Sequence, residues 1–93
     1  MDRPEIITPI IHMNGDRKET LLANLEAAYD AVQSAIDALR QCSPNGRNYY
    51  PELGRLQKAE AQHLERMKHL YAVRESLEAE AIAIDEENPG RDR

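Results

Sequence analysis

The sequence contains no tryptophan or phenylalanine, one cysteine and no long apolar run. Its apolar content is mostly Ala, Leu and Ile, which suits narrow helix seams better than a thick globular core. The single Cys42 excludes an intramolecular disulfide and indicates a reducing compartment. No stretch approaches the roughly 20 apolar residues of a membrane span, and the first residues lack the basic start and cleavage site of a signal peptide. We therefore expect a cytoplasmic protein with no membrane partner.

Positive charge is also scarce. The chain has 12 Lys and Arg against 17 Asp and Glu, a formal net charge of -5. Proteins that bind duplex nucleic acid usually carry a basic surplus for the phosphates, so this balance argues against such a partner. Nine of the 12 cations are Arg, the residue that suits bidentate recognition of phosphate or carboxylate.

The chain is short, with 93 residues and a mass of 10.6 kDa. A single domain of this size hides only about 60 to 65% of its unfolded surface. A large enzyme fold with its own deep pocket is therefore not expected, whereas a homo-oligomer is.

Turn and helix signals divide the chain into a leader, a helical hairpin and a tail. The leader is expected to be extended because it combines β-branched isoleucines with Pro9. Asp16 and Glu19 have the spacing of a capping box, which predicts that Asp16 caps helix 1. Pro44 with Asn45-Gly46 predicts the end of that helix, and Pro51 can begin the next. The predicted ranges are an extended leader over 1–15, a hairpin over 16–87 (helix 1 about 16–42, connector 43–51, helix 2 about 52–87) and a disordered tail over 88–93.

Apolar residues three and four positions apart predict one seam along both helices. The predicted seam residues are Leu22, Leu25, Tyr29, Val32, Ile36, Leu39, Met67, Leu70 and Leu77. The fold class is therefore all-α, an antiparallel two-helix hairpin with an extended N-terminal leader. A hairpin exposes its far side, so we expect it to oligomerise into a four-helix bundle.

Folding back at the connector implies a register for the hairpin. It also leaves the end of the longer helix 2 overhanging, and we expect the leader to turn back along Leu77 to Ile84, in the same subunit or a partner. The predicted pairs are Leu39 with Leu56, Val32 with His63, Tyr29 with Met67, and Leu22 with Arg74.

Catalytic and metal signals are weak. Glu60 and His63 have the Glu-x-x-His spacing found in di-iron bundles, but the acids that would complete the site cannot be placed on helix 1. An i,i+3 charge pair is the simpler interpretation. No Ser-His-acid order or Gly-rich phosphate loop is present, so we expect neither an enzyme, nor a metal site, nor a cofactor.

Polar residues of the loops and of helix 2 suggest a ligand site. Arg supplies bidentate donors and Tyr a flat ring face, a pairing that suits a phosphate-bearing planar ligand. The alternative is that Tyr49 and Tyr50 only close the hairpin end, while Arg47 caps helix 1 carbonyls. The candidate ligand-binding residues are His12, Asn14, Gly15, Arg47, Tyr49, Tyr50, His63 and Arg66.

The two loop motifs lie at opposite ends of one hairpin, so a ligand could join them only across two chains. Together with His63, the segments Ile11-His12-Met13-Asn14-Gly15 and Pro44-Asn45-Gly46-Arg47-Asn48-Tyr49-Tyr50-Pro51 resemble a family of short uncharacterised helical proteins from tailed phages and prophages. Asn48 stands where the connector of that family has Asp. The resemblance implies a phage protein acting in the bacterial host cytoplasm, in a class that includes anti-defence oligomers that sequester cyclic nucleotide signals and adaptors that bind host proteins.

Three interpretations follow. The first is a non-enzymatic oligomer that sequesters a nucleotide-like immune signal at subunit junctions. The second is a structural or adaptor hairpin, in which polar seam residues such as Glu60, His63 and Arg74 select a helical partner. The third is a metal-binding helical bundle.

Overall fold

Two long helices joined by an irregular connector form the whole of the regular structure in the computed structural model, which describes residues 5–89. Helix α1 spans Lys18–Arg40 and helix α2 spans Arg55–Glu87, with a single 3-10 turn at Gly46–Asn48 between them. The helices pack antiparallel, and the molecule measures 62 × 27 × 18 Å. The prediction of an all-α helical hairpin is confirmed. Within residues 5–89 neither helix is long and apolar enough to cross a membrane.

Helix α1 begins without the predicted capping box. Its first residue is Lys18, and Arg17, whose backbone is extended, occupies the N-cap position with no side-chain hydrogen bond to the helix. The prediction that Asp16 caps a helix starting at 16 is therefore wrong. The helix ends at Arg40 rather than at 42, because the next amides, including that of Cys42, bond to carbonyls only three residues back and close tighter turns.

Helix α2 starts three residues later than predicted. Gly54 precedes it in the left-handed conformation, with φ 84 and ψ -10. This conformation breaks the helical path, so Pro51 and Glu52 belong to the connector instead of the first helical turn. The helix ends at Glu87, the predicted boundary.

The register of the hairpin differs from the predicted one by eleven residues, about three helical turns. His63 lies beside Ser43 rather than Val32, and Arg74 lies beside Gln33 rather than Leu22. The connector is longer than expected, so α2 begins well beyond the end of α1. The overhang is therefore at the start of α2, and the prediction that its end overhangs is wrong.

The buried core is narrow. Ile36, Met67 and Ile84 are its buried apolar side chains within the described residues. Two of the nine predicted seam residues, Ile36 and Met67, are therefore buried, and the other seven are half-buried. The half-buried seam residues are Leu22, Leu25, Tyr29, Val32, Leu39, Leu70 and Leu77.

A buried lysine joins the start of α1 to the end of α2. The Lys18 Nζ atom lies 2.9 Å from Asp85 Oδ1 and donates a 2.9 Å hydrogen bond to the Asn88 carbonyl. The Asn88 side chain also donates to the Ile84 carbonyl at 2.9 Å. Asn88, the first residue of the predicted tail, thus bonds both helices. Residues 90–93 of that tail lie outside the described residues.

The described part of the leader, residues 5–15, contains neither helix nor strand. Thr8 Oγ1 donates a 2.9 Å hydrogen bond to Glu87 Oε1, which places this segment against the last turn of α2. Residues 1–4 of the predicted leader lie outside the described residues.

Candidate functional site

The turn before α1 is folded around a histidine ring. The Gly15 amide donates to the His12 carbonyl at 3.1 Å, and the Asn14 amide donates to His12 Nδ1 at 3.3 Å. A Cβ atom on Gly15 would lie only 2.8 Å from His12 Nε2, so the ring packs closely over the Gly15 backbone. All three residues are exposed. The turn is therefore a shaped polar surface rather than part of the core.

The connector holds a preorganised arginine. Asn45 Oδ1 accepts hydrogen bonds from the Arg47 amide at 2.9 Å and from Arg47 Nε at 3.4 Å. No carboxylate within residues 5–89 forms an ion pair with Arg47. Tyr50 is 82% exposed, whereas Tyr49 is half-buried. Of the two tyrosines, Tyr50 therefore exposes far more of its ring than Tyr49.

His63 faces the end of α1 from the third turn of α2. Its Nε2 atom lies 3.2 Å from Ser43 Oγ, while its Nδ1 atom is buried with no hydrogen-bond partner in the structure. An acid that would orient the ring through Nδ1 is therefore missing from the described residues, and this Ser-His pair lacks the third member of a catalytic triad. Arg66, one turn further along α2, is exposed.

The candidate residues fall into two groups that one chain does not bring together. His12, Asn14 and Gly15 precede α1, whereas Arg47, Tyr49, Tyr50 and His63 lie at the connector end. Helix α1 separates the groups by 23 residues, about 35 Å at 1.5 Å per residue. A site that used both groups would require a second chain.

Sequence reasoning missed a polar cluster at the middle of the hairpin. Arg74 donates to Gln33 Oε1, and its guanidinium carbon lies 5.0 Å from the Tyr71 ring centroid and 5.9 Å from that of Tyr29. Tyr71 also accepts a 2.9 Å hydrogen bond from Arg40. Arg74 of α2 thus contacts α1 through an uncharged amide and a tyrosine ring rather than through a carboxylate. The i,i+3 spacing of Tyr71 and Arg74 was a signal for it, but pairing with Gln33 depends on the register.

No third ligand joins the Glu60 and His63 pair. Within residues 5–89 no group of three or more His, Cys, Asp or Glu side chains is arranged to hold a metal ion. The structure thus contains no assembled metal site in that part of the chain.

A groove of about 310 Å³ runs between the helices near the leader end. Its lining is mostly apolar, with two acidic residues, Glu26 and Glu78, among the lining residues. It contains none of the predicted ligand-binding residues. The lining residues are Leu22, Leu25, Glu26, Tyr29, Leu77, Glu78 and Ala81.

Comparison of the chain with protein-family models, with curated proteins and with solved structures finds no match.

Proposed function

We propose that this protein is a non-enzymatic oligomer that binds and sequesters a phosphate-bearing small molecule of the nucleotide-signal class at junctions between subunits. The observation that carries the proposal is the state of Arg47. Asn45 holds its backbone and Nε in place, yet no carboxylate within the described residues neutralises its charge. A guanidinium with no carboxylate partner among residues 5–89, three residues from the exposed ring of Tyr50, is a suitable receptor for a phosphate attached to a planar base.

The junction location follows from the separation of the polar groups. The turn of His12, Asn14 and Gly15 offers amide and imidazole groups at the opposite end of α1 from Arg47. An antiparallel pair of hairpins would bring the turn of one chain to the connector of the other. A phosphate would then meet Arg47 from one subunit and the turn from its partner.

Native mass spectrometry tests the proposal directly. Protein purified from bacterial cells is sprayed alone and with a panel of cyclic di- and trinucleotides. We expect an even-numbered oligomer that gains nucleotide in stoichiometric amount. Arg47→Gln should abolish the uptake, while the control Arg55→Gln should retain it, because Arg55 is already paired with Glu52 at 2.8 Å. An oligomer that takes up none of the panel would contradict the proposal.

Mixed oligomers test whether the site is shared. Arg47→Gln and Asn14→Ala chains should each lose binding alone. When the two chains are mixed, every mixed dimer regains one intact site out of two. The absence of any recovery would contradict a site shared between two subunits.

A structural or adaptor role is the second candidate, and exposed apolar side chains on α2 favour it. Leu64, Val73 and Ile82 are about half exposed, on a hairpin with few buried residues. The double change Tyr49→Ala, Tyr50→Ala separates the two roles. Loss of nucleotide with an unchanged oligomer supports ligand binding, whereas loss of the assembly supports a role in protein contacts.

A further inference from the structure

The leader has an attached side and an exposed side. Ile6 and Ile11 are half-buried, and Thr8 is bonded to Glu87. Ile7, Ile10 and Met13 are 72%, 80% and 93% exposed. These exposed residues are three positions apart, Ile7 and Ile10 in the segment without helix or strand and Met13 at the start of the turn that follows it. We call Ile7, Ile10 and Met13 the outer leader face.

The backbone of the leader is also unpaired. The amides of residues 6–11 make no backbone hydrogen bond to any described residue. The segment is held to its own hairpin by side chains alone, and both its outer apolar side chains and its backbone are available to another molecule.

The groove between the helices is the matching surface. It lies at the same end of the hairpin as the leader, within one to three turns of Lys18 and Asp85. Its own leader does not fill it, because that leader contacts Glu87 beyond the groove and leaves Ile7 and Ile10 exposed.

We infer that the outer leader face of one copy packs into the groove of a second copy, and that the contact is reciprocal about a two-fold axis. The inference concerns a second contact between copies, separate from the junction of the proposed function: it brings two leader ends together and requires neither that junction nor the nucleotide. Because one chain contributes the leader and its partner the groove, each half of the interface is incomplete without the other copy.

The uncharged leader is the part of a second copy that the acidic groove repels least. Each copy carries a net charge of -5, and Glu26 and Glu78 lie at the groove, so most acidic surfaces would be repelled there. Residues 6–11 contain no charged side chain. The leader can therefore enter an acid-flanked groove without bringing in more negative charge.

The small core supplies the driving force. A hairpin with three buried apolar residues has little hydrophobic stabilisation of its own. Docking two leaders would remove four isoleucine side chains and parts of both grooves from water. Such burial is the usual means by which small helical chains acquire a sufficient core.

The first experiment measures association of the full chain by analytical ultracentrifugation. The double variant Ile7→Asp, Ile10→Asp should weaken the dimer by roughly 10- to 100-fold for each isoleucine removed from the interface. Both side chains are exposed in the single chain, so helix content by circular dichroism should not change. The control is Leu53→Asp, because Leu53 is fully exposed in the connector and far from the groove. It should associate like the parent protein.

The second experiment places the leader in the groove by cross-linking. In a Cys42→Ser background, Ile10→Cys and Ala81→Cys are introduced into separate chains and mixed under mild oxidation. A disulfide between them can form only across two chains, and only if their Cα atoms come within about 7 Å. The control pair is Ile10→Cys with Ser34→Cys, an exposed position of α1 outside the groove.

We expect the Ile10 and Ala81 pair to cross-link faster than the control pair. Equal rates, a monomeric parent protein, or a leader variant that associates as well as the parent would each overturn the inference. Equal weakening by Leu53→Asp would do so too, since it would show a general effect of charge. A leader variant that associates like the parent and still takes up nucleotide rejects this interface but not the proposed function. A leader-dependent dimer that takes up no nucleotide rejects the function but not the interface.

Discussion

At the scale of single residues, Lys18 has the most demanding environment. Its side chain is 8% exposed, yet its ammonium bonds the Asp85 carboxylate and the Asn88 carbonyl. The cation also lies at the C-terminal end of α2, where the helix dipole favours positive charge. Lys18 therefore links the first turn of α1 to the last turn of α2; we call this contact the Lys18 clasp.

Replacing Lys18 with Met tests this clasp. The change keeps the apolar stem of the side chain but removes the ammonium group. It should therefore lower the free energy of unfolding by about 1 to 2 kcal/mol. The loss is at the low end for charged hydrogen bonds because Asp85 is largely exposed to water. Urea unfolding followed by circular dichroism measures it. The control Lys68→Met removes an exposed lysine and should stay within about 0.5 kcal/mol of the parent. A Lys18→Met protein as stable as this control would show that the clasp contributes nothing.

Replacing His63 should change the free energy of unfolding in the opposite direction from replacing Lys18. Its buried Nδ1 has no partner, and an unsatisfied buried nitrogen costs about 1 to 3 kcal/mol. Its Nε2 contacts only the exposed Ser43 hydroxyl, which water can satisfy after substitution. His63→Leu should therefore leave the free energy of unfolding unchanged or raise it by about 1 kcal/mol. Urea titration measures the change, with Ser43→Ala as the near-neutral control. A clear loss of stability would indicate that Nδ1 gains a partner from another subunit.

At the scale of elements, the glycine before α2 decides where the helix starts. Gly54 has a φ of 84, which costs an alanine roughly 1 to 2 kcal/mol. Gly54→Ala should therefore lower the free energy of unfolding by that amount, as thermal or urea unfolding can measure. Gly46→Ala is the matched control, because Gly46 has no positive φ and its new Cβ would meet Leu56 at an ordinary 3.9 Å. If both variants lose the same stability, the left-handed conformation of Gly54 is not what the connector depends on.

The elements also show which features local sequence signals can predict. The apolar repeat from Leu22 to Leu39 identified the helix and its seam, because side-chain periodicity is a property of one segment alone. The pairing of Arg74 with Gln33 was not predictable in the same way. It depends on how many residues the connector uses, and Pro51 is equally acceptable in a first helical turn and in a loop. The candidate residues near the connector could be proposed from composition, but whether His63 faced Val32 or Ser43 followed only from the register.

At the scale of the whole molecule, the hairpin is long and thin, with its polar turns at opposite ends and its apolar leader at the same end as the groove. The apolar contact between copies and the charged contact with a ligand therefore lie at different places on the molecule. Leader and groove are apolar and bring together two chains of the same charge, whereas Arg47 offers positive charge to an anion. The two contacts should therefore respond to salt in opposite directions.

Raising the salt concentration from 0.01 M to 1 M shortens the screening length from about 30 Å to about 3 Å. Repulsion between two chains of net charge -5 is then reduced, so the dimer should become tighter and its unfolding midpoint should rise more steeply with protein concentration. Nucleotide uptake through Arg47 should weaken over the same range, because salt screens the attraction between guanidinium and phosphate. Sedimentation of the free protein and calorimetric titration with nucleotide measure the two effects separately. A dimer that loosens as salt rises would mean that ion pairs hold the chains together, which contradicts packing through the uncharged leader.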